Sequence, residues 1–267
     1  MSAAPAKAAR WGLNLYAALG LIYLFVPMFW IVWFSFNDPS SRFNLVWQGF
    51  TLDNWRHPFS EQGLTDAFIE SLKIATISTA ISTVIGSMIA IALARYRFRG
   101  SEGLNLFLVL PLTSPEIVLG ASLATLFLDA DVTRGFSTVI IAHVMFQVSF
   151  VALTVRARVR GFDWTLEQAA QDLGATPMRT FWRITFPLIL PGILAAALLS
   201  FALSIDDYII TSFVAGDSTT TFPMRIFNAN KTEIPPQVNV IATMILVFTG
   251  TLMALGARRA LKQAKAA

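Results

Sequence analysis

Apolar and polar positions fall along this chain in blocks rather than alternating residue by residue. A polar start carrying Lys7 and Arg10 gives way to a charge-free run from Trp11 to Phe36. That run exceeds the roughly 20 residues needed to cross a bilayer, and a signal peptide's apolar region is shorter, about 7 to 15 residues. An uncleaved first span is therefore expected over 13–36. Later apolar blocks predict spans at 74–94, 103–128, 135–155, 188–215 and 238–257. The second is rich in Ser, Thr, Ala and Gly, which permits close helix contact in lipid. The third is interrupted at Pro111 and at Ser114-Pro115-Glu116, where missing amide donors should kink or break the helix. The fourth carries His143 and Gln147 four residues apart on one face, read as interhelical packing contacts. The fifth is broken only by Asp206 and Asp207. Between the first two spans, 37–72 is a mixed loop whose Phe43, Trp47, Phe50 and Trp55 suit a membrane interface. At its end Glu70 and Lys73 can neutralise each other.

One polar block, 156–187, is long enough to hold structure of its own. Thr165 and Gln168 have capping-box spacing, each side chain satisfying an exposed backbone N–H at a helix start. Gly174 supplies the stop. Thr176 followed by Pro177 reads as an N-cap and first helical residue, so a second short helix should run toward Ile184. The expected product is a helix, a sharp turn and a helix.

Composition agrees with the block pattern. Hydrophobic residues make up 55% of the 267 and charged residues only 13%, where soluble domains carry about a quarter; the mean hydropathy is +0.61. The net charge of +4 does not point to nucleic acid, because the basic residues flank apolar spans instead of forming one face. One set of segments holds Lys7, Arg10, Arg95, Arg97, Arg99, Arg156, Arg158, Arg160, Arg179, Arg183, Arg258, Arg259, Lys262 and Lys265. The opposite set holds only Arg42, Arg56, Arg134, Arg225 and Lys231. The positive-inside rule makes the first set cytoplasmic, so both termini and the 156–187 loop are expected there. With no Cys and only His57 and His143, thiol chemistry, disulfides and His-rich zinc sites are excluded. No repeat at solenoid spacing interrupts a single domain over 1–267.

Two features carry chemistry. No Gly-x-x-x-x-Gly-Lys-Ser/Thr phosphate loop occurs, so energy for any pumping must come from another subunit. Acids inside spans are costly, about 2.5 to 3.5 kcal/mol on insertion scales, and mark pathways; Glu116, Asp206 and Asp207 qualify. Counted along straight helices at about 1.5 Å per residue, Glu116 lies about 20 Å from its cytoplasmic start and Asp207 about 22 Å. Acids from two spans at similar depth could meet a cation with spaced amines. Adjacent helical residues point about 100° apart, so one of Asp206 and Asp207 faces the path, with Asp207 preferred.

The run from Gln168 through Ala169, Ala170 and Gly174 to Ile184 and Pro187 resembles the Glu-Ala-Ala loop of the permease subunits of bacterial ABC importers. The spacing is kept, with Gln168 in place of the Glu and Phe186 in place of a Leu. A negative charge needed at the first position falls to Glu167 or Asp172. Ser200 to Gly216, Ser35-Phe36-Asn37, Tyr96 to Gly100, Ser114 to Val118 and Ala169 to Gly174 look like spermidine/putrescine importer permeases; at Pro236-Gln237-Val238-Asn239 that family tends to have Pro-Glu-Ile-Asn. The resemblance implies an all-α, six-span, MetI-like type I importer fold with a cytoplasmic coupling helix, in a bacterial inner membrane. It implies a second permease, two ATPase subunits that bind ATP and Mg, and an external solute-binding protein, with no catalysis or cofactor in this chain. Glu167, Gln168, Ala169, Ala170, Asp172, Gly174, Ala175, Thr176 and Pro177 would couple to the ATPase. Glu116, Asp206, Asp207 and Tyr208 would line the path of a small cation. Rival readings keep the fold and carry another amine, an opine or an amino-acid derivative, or make the chain a stand-alone channel or secondary transporter. The absence of Cys, paired His or a Gly-x-Ser-x-Gly elbow from the sequence argues against an intramembrane hydrolase.

Overall fold

The computed structural model describes residues 4–96, 98–229 and 233–266. Arg97 and Lys231 lie outside the described residues, as do the side chains of Lys7, Arg10, Arg258, Arg259, Lys262 and Lys265. The described chain is helical: α1 (Ala4–Phe34), α2 (Asp53–Arg56), α3 (Gln62–Arg95), α4 (Ser101–Thr113), α5 (Glu116–Asp129), α6 (Phe136–Val159), α7 (Thr165–Asp172), α8 (Pro177–Thr180), a π turn (Phe181–Thr185), α9 (Phe186–Asp206), α10 (Ile209–Val214), α11 (Phe222–Ala229) and α12 (Pro236–Ala266). Four stretches are long and apolar enough to cross a membrane: Trp11–Phe34, Gln62–Arg95, Phe136–Val159 and Pro177–Asp206. The α4 and α5 pair could form a fifth span, bent by 107°, and α12 contributes a shorter apolar stretch, Pro236–Thr251.

Four expected boundaries change. The helix of the second apolar block starts at Gln62, well before 74, because Leu64, Ala67 and Ser71 continue its buried face at helical spacing. The helix does not break at Pro111, which lies inside α4, and continues until the hydroxyls of Thr113 and Ser114 close its end on the Leu110 carbonyl. The break falls at Ser114-Pro115 alone. The second helix of the 156–187 loop is not separate from the fifth apolar block. It runs from Pro177 through the π turn, where the Phe186 N–H reaches the Phe181 carbonyl, and so passes Pro187 without a stop. The block then ends at Asp206, not 215, since Asp207 is extended (φ −65°, ψ 121°).

The chain holds two compact units, Met1–Gln62 with Asn228–Phe248, and Gly63–Phe227 with Thr249–Ala267. Segments far apart in sequence pair within the first unit, which no local pattern reveals. Its loop is knotted on Asn37, whose amide donates to Asn44 Oδ1 (2.6 Å) and the Val46 carbonyl (2.8 Å) while its Oδ1 accepts from Gln48 N (2.8 Å). Asn54 donates to the Asn37 carbonyl (2.7 Å), and Ile234 pairs with Arg42 and Asn44 through backbone bonds. The expected interface aromatics stack around this knot: Phe36 on Phe50 and Trp55, and Trp33 beside Trp47.

The second unit is organised on α6. Small residues of α3, Ser78, Ser82, Gly86 and Ala90, form a buried stripe. A Cβ at Gly86 would sit 2.7 Å from Val151 Cβ, so glycine is what lets α3 and α6 approach so closely. Below this point Ala90, Val151, Val155, Val159, Ile189 and Ile193 form one apolar cluster; at the other end Ile74, Leu123, Val139, Phe146, Ile210 and Val214 form another. Between them lies a polar seam. Gln147 accepts from Ser82 (2.9 Å) and donates to Ser78 (3.3 Å) and the Ser200 carbonyl (3.2 Å). His143 is hydrogen bonded through Nδ1 to Ser204 (2.7 Å) and through Nε2 to Thr211 (2.9 Å). Both are buried, as interhelical packing contacts should be.

Candidate functional site

Two helix breaks face each other across a cavity of about 390 Å³ lined by Pro111, Leu112, Ser114, Glu116, Leu119, Phe146, Phe150, Leu203, Asp206, Asp207, Tyr208, Ile209 and Ile210. The first break follows from Pro115: Ser114 is extended (ψ 138°), as the residue before proline prefers, and a new helix opens at Glu116. Glu116 sits in that helix's first turn, where a carboxylate complements the helix dipole. The second break is made by acids. The α9 helix ends at Asp206, and the Asp207 carboxylate turns forward to cap α10, its Oδ2 accepting from Thr211 N (2.8 Å) and Thr211 Oγ1 (2.6 Å). At the other end of α10, Arg134 and Thr138 donate to the carbonyls of Phe213 and Val214. Non-helical backbone at membrane depth is tolerated where it is enclosed by protein or lines a cavity, and both breaks meet that condition.

The adjacent acids have opposite surroundings. The Asp207 side chain is 6% exposed and lies 3.4 Å from His143 Nε2, so its charge is engaged by the frame. Asp206 is exposed, and among the described residues no ion pair or side-chain hydrogen bond occupies its carboxylate. Both acids line the cavity, the expected Asp207 with its carboxylate bonded to the surrounding helices and Asp206 without such bonds. Glu116 is exposed toward the same space, and Tyr208 packs on Phe227, ring centroids 4.5 Å apart. The straight-helix depth count does not describe these residues, since the 107° bend intervenes before Glu116. The juxtaposition it suggested, of acids from two broken segments, is present. Phe146, Phe150 and Ser114 also line the cavity and were missed; the four-residue spacing of His143 with Gln147 marks the face of α6 nearby.

The 156–187 loop holds a second constellation. Gly174 is left-handed (φ +85°), and the N–H groups of Gly174 and Ala175 bond to Gln171 and Ala170 carbonyls (2.8 and 3.0 Å), the glycine stop expected. Thr176 accepts from Arg179 N (3.4 Å) with Pro177 in the first turn, also as expected. The capping box is not formed. The helix starts one residue early, with Thr165 already helical and Gln168 N bonded to the Trp164 carbonyl, and the Asp163 Oδ1 accepts from Thr165 N (3.0 Å) and Oγ1 (2.8 Å). Those bonds hold the Asp163 carboxyl below the usual carboxylate range. Gln168, Ala169, Asp172, Gly174, Thr176 and Pro177 are exposed, Ala170 and Ala175 half-buried. Glu167 is turned inward, 4% exposed, toward Arg95 (2.8 Å) and Thr185.

An all-helical chain with interrupted helices around an acid-lined cavity defines a membrane permease class. The same fold occurs in the crystal structure of a bacterial ABC transporter involved in the import of the acidic polysaccharide alginate (TM-score 0.67, 13% identity, 93% of this chain and 96% of that one). It also occurs in the inward-facing MetNI methionine ABC transporter (TM-score 0.59, 17% identity, 73% and 93%). Residues 82–265 match the family described as the binding-protein-dependent transport system inner membrane component. The chain belongs to that family: it is a multi-pass inner-membrane permease and not an enzyme. It is 38% identical to the spermidine/putrescine transport system permease protein PotC of Haemophilus influenzae, over 87% of this chain and 90% of that protein. It is also 38% identical to the putrescine transport system permease protein PotI of Escherichia coli strain K12, over 87% and 84%.

Proposed function

We propose that this permease imports polyamines, spermidine- or putrescine-like cations, as one half of an ATP-driven importer. Six spans are inferred, counting α1, α3, the bent α4–α5 pair, α6, the Pro177–Asp206 stretch and α12, with both termini and α7 cytoplasmic. A second permease completes the pathway as a hetero-dimer.

 Two ATPase subunits carry ATP and Mg, and an external solute-binding protein delivers the cargo. The observation that supports this reading most is the meeting of Glu116 and Asp206, two carboxylates with no protein cation against them among the described residues, in one cavity with Asp207 and Tyr208. Carboxylates placed at depth favour a cation that brings its own ammonium groups, and the aromatic rings of Phe146, Phe150 and Tyr208 suit the methylenes between amines. The relatives named above are themselves described as spermidine/putrescine and putrescine permeases.

The test is uptake of labelled putrescine and spermidine into vesicles containing the purified assembly, with ATP inside the reach of the ATPases. Glu116→Gln together with Asp206→Asn should lower uptake about tenfold, the order expected for losing charge-assisted hydrogen bonds, while the assembly still co-purifies. Unchanged uptake in that variant would remove the acids from the path. Flux without ATP would point to a channel, and import of an opine or amino-acid derivative in place of polyamine would change the cargo alone.

A further inference from the structure

Glu167 stands where the loop pattern places a residue that faces a partner, yet it is among the most enclosed carboxylates of the chain. Its side chain is 5% exposed, and Arg95, at the last turn of α3, meets it with both guanidinium nitrogens, Nη2 to Oε2 at 2.8 Å and Nη1 to Oε1 at 3.3 Å. Thr185, in the π turn at the foot of the Pro177–Asp206 stretch, donates to the same Oε1. The guanidinium also lies over the Trp164 ring, 5.4 Å from its centroid, just ahead of α7. One carboxylate thus joins three separate segments: α7, the end of α3 and the base of the stretch that ends at Asp206. A forked, charge-assisted pair fixes direction as well as distance, and a π turn is a place where a helix can shift its ladder.

We propose that Glu167 is a positioning residue that keys α7 to two spans, so that movement of α7 is delivered to α3 and to the Asp206-bearing stretch together, while Gln168, Ala169 and Asp172 form the exposed face. This rests on the reading of α7 as the coupling element. The assignment differs from a docking role: Glu167 acts inward, through Arg95 and Thr185, and touches no partner.

The experiment uses the full assembly in vesicles, with Glu167→Gln, Arg95→Met and their double variant, measuring putrescine imported per ATP hydrolysed. Each single variant should lower that ratio about tenfold, within the usual span of coupling free energies, with ATP hydrolysis and co-purification retained. The double variant should fall no further than either single one, since the two residues act as a unit. Arg95→Lys, which keeps the charge and loses the fork, should recover part of the ratio. Hydrogen exchange of the 165–172 amides, which needs no cargo, should accelerate about tenfold in Glu167→Gln. An unchanged ratio and unchanged exchange would overturn the key, and so would additive losses in the double variant. If the wild type imports no putrescine, the cargo reading falls while the exchange measurement still decides the key.

Discussion

The first apolar helix and the fourth are almost equally hydrophobic, yet none of the Trp11–Phe34 window is buried within the chain, against 56% of the Phe136–Val159 window. The difference lies in what interrupts the apolar background. The Trp11–Phe34 stretch presents large rings outward, among them Trp11, Tyr16, Tyr23, Phe29 and Trp30. The α6 helix buries Thr138, Ala142, His143, Gln147, Ser149 and Ala152. In lipid there is little hydrophobic drive to bring helices together, so close backbone approach and interhelical hydrogen bonds decide which helix is central. Hydropathy identifies both as membrane helices; only the small and polar positions separate the hub from the periphery.

That contrast can be broken most severely at His143. Replacing it with Leu takes a buried partner from the Asp207 carboxylate and from Ser204, leaving them Thr211 and Ser78; the loss should cost about 3 kcal/mol, read as a lowered unfolding midpoint in detergent. Adding Asp207→Asn to that variant should return part of the loss. A smaller effect is expected at the α3–α6 contact. Gly86→Leu drives a side chain into Val151 and should cost about 2 kcal/mol, whereas Gly20→Leu in α1, where a Cβ meets nothing within 4 Å, should stay within about 0.5 kcal/mol. Equal effects of the two glycine substitutions would erase the distinction between hub and periphery. The smallest change is expected for Trp30→Leu, at a ring 58% exposed, again within about 0.5 kcal/mol in the isolated subunit; a larger loss of co-purifying partner from that variant would show that a neighbouring subunit covers this helix.

Much of the architecture was legible because each signal is local. Pro115 breaks its span through its own missing donor, Gly174 ends α7 through its own left-handed backbone, and Thr176-Pro177 opens the next helix within one turn. Other features depended on distant partners. Asp163 binds the Thr165 amide and hydroxyl from outside α7, and with Thr165 already inside the helix its hydroxyl is not placed to cap. The inward turn of Glu167 required Arg95 and Thr185, remote in sequence, to converge on it. Asp206 and Asp207 are equal in the sequence, and what divides them is His143 and Thr211.

The sequence by itself determined a helical membrane chain, its punctuation by proline and glycine, and the loop pattern of its family, because bilayer thickness, proline's missing donor and glycine's freedom act within a few residues. Tertiary structure alone decided that Asp207 is bonded to His143 and Thr211 while Asp206 stays exposed, and that Glu167 faces inward. Those outcomes depend on where hydrogen-bond partners from other helices arrive, and a chain written in one dimension does not specify that without being folded.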